Sequence, residues 1–292
     1  MRKMSNNRFT LLSLVTFSVT VIVLVNPAYS QSSVSNSSFH PYHVNYWVTG
    51  ANIIVGGALE VIGLPLMTKS QISVGELENL DRKDIKSIDR WALNFDPSKR
   101  ADYVRLSTQL GVVGAILPAL TLLDGNIRRD WIDIILMYAQ TQAITNNLYL
   151  YSPFGPSFIS RFRPATYYEA LPIAERESAT NRSSFYSGHD AGIAAASFFT
   201  AKVFCDYHPE LGGEKYLVYA AAAIPPLLMS YFRLGALAHF PTDLITGIGV
   251  GAICGILVPE LHRVQNKNIS LGLLSSPETT GITITWHPDF LK

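Results

Sequence analysis

The chain has 292 residues, of which 48% are hydrophobic and only 15% are charged. In soluble domains about a quarter of all residues are usually charged, so this composition favours a membrane protein. The formal net charge of +1 gives no indication of nucleic-acid binding. No glycine-rich nucleotide loop, His-Glu-x-x-His zinc pattern or cysteine cluster occurs. Cys205 and Cys254 fall in apolar segments, where we expect small buried side chains and no disulfide.

The first 30 residues form a unit of their own. Basic residues precede the apolar run Phe9 to Val25, and Ala28 and Ser30 supply the small side chains that precede a cleavage site. This order predicts a secretory signal peptide over residues 1–30. An uncleaved membrane anchor is the alternative, because the apolar run is long for a signal-peptide core.

Beyond a polar stretch, six segments have the apolar composition of buried helices. They are Tyr46–Met67, Val104–Leu123, Trp131–Tyr151, Ser187–Phe204, Tyr216–Phe232 and Pro241–Leu257. Several approach the roughly 20 residues that cross a bilayer. We therefore predict an all-α bundle of these six helices embedded in a membrane, although buried helices of a large soluble bundle would have the same composition. Polar residues within the third segment would have to face the interior of the bundle.

Two regions are expected to lie outside the bundle helices. The charged stretch Glu76 to Lys99 contains Asp89-Arg90-Trp91 and predicts an amphipathic connection packed on the core. The tail alternates apolar and polar residues over Gly281–Trp286 and predicts a short β-hairpin with Ile269–Leu274. We divide the chain into a signal peptide (1–30), an N-terminal region (31–103), a core (104–263) and a tail (264–292).

The pattern Arg-x5-His-x3-Asp is the most specific feature of the sequence. It comprises Arg233, His239 and Asp243. Residues four apart on a helix lie on one face, so we expect Asp243 to bond one imidazole nitrogen of His239. The other nitrogen would then be free to act as a nucleophile or base. Pro241 suits the first turn of a helix, and Gly235 is expected to end the preceding one.

Two further segments carry groups that bind phosphate. Ser187 is predicted to cap a helix, Gly188 allows its backbone to approach a ligand, and His189 follows as a proton donor. Upstream, Arg163 precedes Pro164, and a planar guanidinium suits two oxygens of one phosphate.

Each segment alone has an ordinary structural explanation. A buried His–Asp pair is often structural, a Ser-Gly pair is usually a helix cap, and a lone arginine is usually solvated. Their occurrence together and in this order favours a phosphoryl-transfer site. The other five histidines have no partner at ligand spacing, and we expect them at the surface.

The three segments resemble those of the type-2 phosphatidic acid phosphatase superfamily. Its pattern is Lys-x6-Arg-Pro, then Pro-Ser-Gly-His, then Ser-Arg-x5-His-x3-Asp. The resemblance implies that His239 attacks phosphorus, that Asp243 orients it, and that His189 protonates the leaving group and later activates water. It also implies that the phosphoryl oxygens are held by Arg163, Ser187, Gly188 and Arg233. No metal or other cofactor is needed for that mechanism.

The sequence departs from the pattern at three positions. The family's lysine falls on Pro156, its motif proline on Tyr186 and its motif serine on Phe232. Loss of the lysine removes one cation from the pocket, and Arg161 or Arg182 are the candidates to replace it.

The resemblance implies a phosphatase acting on a phosphomonoester or diphosphate, with a lipid phosphate as the expected substrate. Phosphatidic acid, phosphatidylglycerol phosphate, undecaprenyl diphosphate and lipid A all fit, and the residues do not choose among them. A vanadium haloperoxidase and a non-catalytic phosphate-binding membrane protein are the alternatives.

The basic residues of the chain suggest an orientation in the membrane. If the segment from Val104 runs inward, then Arg128, Arg129 and Lys215 fall in the cytoplasm. The three motifs then face the periplasm of a bacterial inner membrane. A soluble periplasmic protein is the alternative.

Overall fold

The computed structural model describes residues 40–264 and the backbone of two further segments, 269–275 and 280–286. The predicted signal peptide lies outside the described residues. Within them the protein is a helical bundle, as predicted. The predicted tail hairpin is also present, because strand β1 (Ile269–Ser275) pairs antiparallel with β2 (Thr280–Trp286).

The described part of the chain contains seven helices of eight or more residues. They are α1 (Tyr46–Gly63), α2 (Arg100–Ala115), α3 (Trp131–Tyr151), α4 (Gly188–Tyr207), α5 (Lys215–Ala222), α6 (Ile224–Gly235) and α7 (Pro241–Leu261). Shorter α-helices are Val74–Glu78, Ser87–Arg90, Gly125–Arg129 and Ile173–Arg176. The 3₁₀ segments are Leu64–Met67, Arg82–Asp84, Trp91–Asn94, Pro97–Lys99, Leu117–Leu123, Pro164–Tyr167, Ala179–Arg182 and Pro209–Glu214.

Four helical stretches among the described residues are long and apolar enough to cross a membrane. They are Tyr46–Met67, Pro97–Leu123, Pro209–Gly235 and Pro241–Leu261. This composition indicates a membrane protein. Helices α3 and α4 are not among the four, and most residues of α4 are buried inside the bundle.

The polar residues of α3 face neighbouring elements, as predicted. Asn147 donates to Gly56 O of α1 at 2.9 Å, and Gln140 bonds the His262 ring at 2.8 Å. The expectation that His262 lies at the surface is therefore wrong: it is buried, and its ring is satisfied by a glutamine from another helix. Both cysteines are buried and free, which confirms their prediction.

The connection between α1 and α2 packs on the core, which confirms its predicted role. Ile85, Ala92 and Leu93 join a buried cluster with Leu237 and Phe240, the residues on either side of the turn before α7. The cluster fixes the connection against the end of the bundle where α7 begins.

Helices α4 and α7 pack closely because α7 presents a stripe of glycines to the backbone of α4. Gly247, Gly251 and Gly255 lie four residues apart and therefore share one face of α7. A Cβ added at Gly255 would lie 2.5 Å from Ala195 O, and one added at Gly251 would overlap Ala191 O. Small residues of this kind let membrane helices approach each other closely.

We expect Gly251→Ala to destabilise the bundle, since its methyl group has no room against the α4 backbone. Overpacking of this kind typically costs about 1–3 kcal/mol. Gly249→Ala is the matched control on the same helix, because a Cβ there has open space around it. Thermal unfolding in detergent should show a lower Tm for Gly251→Ala alone, and equal Tm values for the two variants would refute the packing.

Candidate active site

The three motif segments meet at the end of the bundle where α4 and α7 begin. His189 lies in the first turn of α4, and His239 lies two residues before α7. The backbone N–H of Ser187 donates to Asp243 O at 3.1 Å, which ties the two helix starts together. Arg233 contacts the His239 ring, and the bond from Ala165 N to Leu237 O joins the Arg163 segment to the same turn.

His239 is held by its two ring nitrogens. It is only 2% exposed, and Nδ1 lies 2.6 Å from the Ser184 carbonyl oxygen. A carbonyl oxygen only accepts hydrogen bonds, so Nδ1 carries the proton and donates it. Nε2 therefore keeps its lone pair, and it lies 3.2 Å from Nη2 of Arg233. This is the tautomer that a nucleophilic imidazole requires.

Asp243 reaches His239 through Ser184, and this corrects the direct bond that the spacing predicted. Helix α7 begins at Pro241, so His239 precedes the helix and does not share its face with Asp243. The Asp243 carboxylate lies 3.9 Å from Nδ1 of His239, beyond hydrogen-bond distance. It accepts instead from Ser184 Oγ at 2.6 Å and from Phe240 N at 2.8 Å. Asp243 thus positions the residues on either side of the imidazole.

Arg161 also holds the Asp243 carboxylate, in addition to Ser184 and Phe240. It forms ion pairs with Asp243 and with the fully buried Asp89, whose carboxylate lies 2.7 Å away. Asp89 also accepts from Thr242 N at 2.9 Å and so caps the first turn of α7. Arg161 is therefore committed to two carboxylates. It is not the replacement for the missing lysine.

Arg182 is likewise engaged away from the imidazoles. It donates to both carboxylate oxygens of Glu76, at 2.6 and 2.8 Å, and these bonds hold the pKa of Glu76 at about 2. Both arginines proposed from the sequence to replace the lysine thus have other partners.

Arg163 and Arg233 have no carboxylate among their hydrogen-bond partners in residues 40–264. Arg163 donates to Ser183 O at 3.3 Å, and Arg233 contacts Ser107 Oγ at 3.5 Å as well as His239. The Nε atom of each guanidinium is buried and has no partner within the described chain. Asp243 and Asp190 act on the two guanidinium groups only through space. A buried charge without a bonded counter-charge is costly, so the pair favours a bound anion.

Ser187 caps α4, as predicted, and Gly188 follows it. The Ser187 hydroxyl accepts from Asp190 N at 3.4 Å and donates to the Asp190 carboxylate at 2.5 Å. Its only hydroxyl hydrogen is therefore committed, so contact with a phosphoryl oxygen requires Ser187 to change partner. A Cβ at Gly188 would lie 3.0 Å from the Tyr149 ring, which leaves little room for any larger residue.

A tight turn presents His239 to the pocket. Helix α6 ends at Gly235, as predicted, and a Cβ there would overlap the Tyr103 ring. Leu237 follows with a φ of 52°, a left-handed conformation that is uncommon for a bulky residue. Its carbonyl accepts from Ala165 N at 3.0 Å, which ties the turn to the Arg163 segment.

Burial and charge set the protonation of both histidines. Burial lowers the pKa of His239 well below its ordinary value, and the charges of Arg233 and Arg163 lower it further. Partial burial and the same two charges lower the pKa of His189 to about 4. His239 is therefore neutral at pH 7, as an attacking imidazole must be. A dianion bound between the arginines would raise both values.

Four residues of this environment were missed by the sequence reasoning. They are Ser184, which bonds His239 and Asp243, Asp89, which caps α7, Tyr149, which packs on Gly188, and Ser107, which contacts Arg233. Of these four, only Asp89 could have been suspected from the sequence, because it is a charged residue in a predicted amphipathic segment. Among residues 40–264, no group of three or more His, Cys, Asp or Glu side chains is arranged to hold a metal ion.

Comparison with known proteins gives two matches. Residues 130–267 match the family model described as PAP2 superfamily. The chain is also 24% identical over 168 residues to phosphatidylglycerophosphatase B of Bacillus subtilis (strain 168), an alignment that covers 55% of this chain and 76% of that protein. No solved structure matches the chain.

We expect the His239 ring to remain neutral until well below its ordinary pKa, and Arg163→Gln to raise that pKa part of the way back. Removal of one positive charge favours the protonated ring, while burial continues to oppose it. Histidine NMR titration of the protein in detergent measures both values. Arg128→Gln, at a distant position, should change nothing, and an ordinary pKa in the unmodified protein would contradict the geometry.

Proposed function

Because residues 130–267 match the PAP2 superfamily model, we propose that the chain is a membrane phosphatase that cleaves a lipid phosphate by way of a phosphohistidine. The family and the similarity to a phosphatidylglycerophosphatase support a phosphoric ester hydrolase. The observation that carries the proposal is the neutral Nε2 of His239 beside two buried guanidinium groups without carboxylate partners.

In the first step Nε2 of His239 attacks phosphorus and the bond to the leaving oxygen breaks. Arg163 and Arg233 bind the phosphoryl oxygens and stabilise the charge that develops on them. Arg233 gives up its contact with Nε2 as it does so. The Gly188 N–H, at the start of α4, is suited to bind a third oxygen. His189 protonates the leaving alkoxide.

In the second step water attacks the phosphohistidine, and the P–N bond breaks. His189, now neutral, accepts the proton of the water, and inorganic phosphate leaves. The low pKa of His189 in the empty pocket suits this second role, while the negative charge of a bound substrate raises it for the first.

Asp243 acts as a positioning residue in this mechanism. The Ser184 carbonyl holds the Nδ1–H of His239, and Asp243 holds Ser184 in turn. The carbonyl stabilises the positive charge that the ring acquires on attack. Ser184 therefore stands between the two motif residues in the chain of hydrogen bonds.

A lipid is favoured as the substrate because the pocket lies at one end of apolar helices. Helices α2, α6 and α7 all reach the site, and each belongs to a stretch long enough to cross a membrane. Phosphatidylglycerol phosphate is one of four candidates from the sequence, and the name of the Bacillus subtilis relative favours it.

The basic residues support an orientation with the pocket outside the cytoplasm. Helix α4 runs from Gly188 to Tyr207, about 30 Å, and Arg263 lies 3.6 Å from Asp206 at its far end. Basic residues mark the cytoplasmic side of membrane proteins. We therefore propose that the pocket faces the periplasm of a bacterial inner membrane.

We expect purified protein to release inorganic phosphate from at least one of the four lipid phosphates, and His239→Ala to lower the rate on the order of 10⁶-fold, as loss of a nucleophile does in a serine hydrolase. His208→Ala is the matched control, because that ring bonds Glu210 and lies beside Asp124, away from the pocket. Acid-quenched trapping with labelled substrate should yield a phosphohistidine that depends on His239.

Three other outcomes would replace the proposal. Lipid or phosphate binding without turnover or trapped phosphohistidine would favour a binding protein. Halide oxidation that appears only with vanadate would indicate a haloperoxidase. Equal turnover by wild type and His239→Ala would show that His239 is not the nucleophile.

A further inference from the structure

We propose that Arg100, which lies outside the three motifs, supplies the third cation of the phosphoryl pocket where Pro156 replaces the family's lysine. The inference rests on the proposed function and extends it by one residue. Arg100 is the first residue of α2 and lies 63 positions before Arg163 in the sequence.

One face of α2 points Arg100 toward the pocket. Arg100, Tyr103 and Ser107 are spaced three and four residues apart, so they lie on the same side of the helix. Tyr103 packs against Gly235, and Ser107 Oγ contacts Arg233 Nη1 at 3.5 Å. The face that carries Arg100 is therefore the face that contacts the Arg233 segment.

A second set of contacts joins Arg100 to the Arg163 segment. Its Nη1 forms an ion pair with Glu175. Glu175 O accepts from Asn181 Nδ2 at 2.7 Å, and Asn181 O accepts from Arg163 N at 2.8 Å. Arg100 thus lies between the segments that carry the two phosphate-binding arginines.

The charge of Arg100 acts on the pocket. Burial is the main cause of the lowered pKa of Arg163, and the positive charge of Arg100 adds to it. Nε of Arg100 is buried and has no hydrogen-bond partner within residues 40–264, as is also true of Arg163 and Arg233. The partner on its other side, Glu175, is 45% exposed and therefore well screened by water.

Among the three guanidinium groups only Arg100 bonds a carboxylate, because Asp190 and Asp243 act on Arg233 and Arg163 through space while they bond other groups. The guanidinium charges therefore exceed what their bonded partner balances before any ligand binds. A phosphate dianion would balance that excess. The Arg100 guanidinium would then exchange Glu175 for a phosphoryl oxygen, a charge-assisted hydrogen bond that guanidinium groups form well.

Lys69 is the competing cation. Its Nζ donates to Ser157 O at 2.8 Å, next to the position where the family has its lysine. It reaches that loop from a different part of the chain, so sequence spacing does not reveal it. The experiment therefore compares both residues.

The test measures two quantities for Arg100→Gln, Glu175→Gln and Lys69→Gln: binding of inorganic phosphate and turnover of the best lipid phosphate. We expect Arg100→Gln to weaken phosphate binding about tenfold or more and to lower turnover about 100-fold, as loss of one oxyanion donor does. Glu175→Gln breaks the same ion pair but keeps the cation, so its turnover should stay within about fivefold of wild type, the effect expected of an exposed ion pair. Lys69→Gln should resemble wild type.

Equal losses in Arg100→Gln and Glu175→Gln would show that the ion pair is only structural and would overturn the inference. A loss confined to Lys69→Gln would assign the role to Lys69. Arg100→Lys should recover part of the turnover, and its unfolding temperature separates a folding defect from a lost contact. Phosphate binding that depends on Arg100 without lipid turnover would uphold the inference while the proposed function fails, and no phosphate binding by wild type would overturn both.

Discussion

The close parallel contact of α4 and α7 is the constraint on which the pocket depends. The glycine stripe of α7 brings the two helices together, and the bond from Ser187 N to Asp243 O holds their first turns at the same level. His189 and His239 belong to segments 50 residues apart in the chain, yet each lies at the start of one of these helices. A shift of one helical turn between them would separate the imidazoles by about 5 Å.

The arginines around this contact are of two kinds. Arg161 is neutralised by Asp89 and Asp243 and serves to hold the start of α7 in place. Arg163 and Arg233 are left without carboxylates, which lowers the stability of the empty protein. Because these two guanidinium groups have no bonded carboxylate, we expect the pocket to bind a doubly charged phosphoryl group strongly. The destabilising positive charges thus lie where a bound phosphoryl group would neutralise them.

The sequence predicted most helices well, because long apolar runs mark α3 and α7 and Pro241 marks the start of α7. The predicted helix Tyr216–Phe232 is divided at Ala223 into α5 and α6, where Pro225 and Pro226 begin the second helix. It also predicted that the three motif segments meet. It did not predict that Ser184 separates His239 from Asp243, since a backbone carbonyl has no signature in a sequence. Asp89 and Arg100 were missed as pocket residues for a related reason: each lies far along the chain, and only the packing of the connecting segment and α2 brings it close.

The most direct measurement of the central claim is an experimental structure of the protein with bound orthovanadate, a mimic of the phosphoryl group in transfer. We expect vanadium bonded to Nε2 of His239, with its oxygens within hydrogen-bond distance of Arg163 and Arg233. An anion bound elsewhere in the bundle, or a His239 ring whose Nε2 faces away from both guanidinium groups, would contradict it.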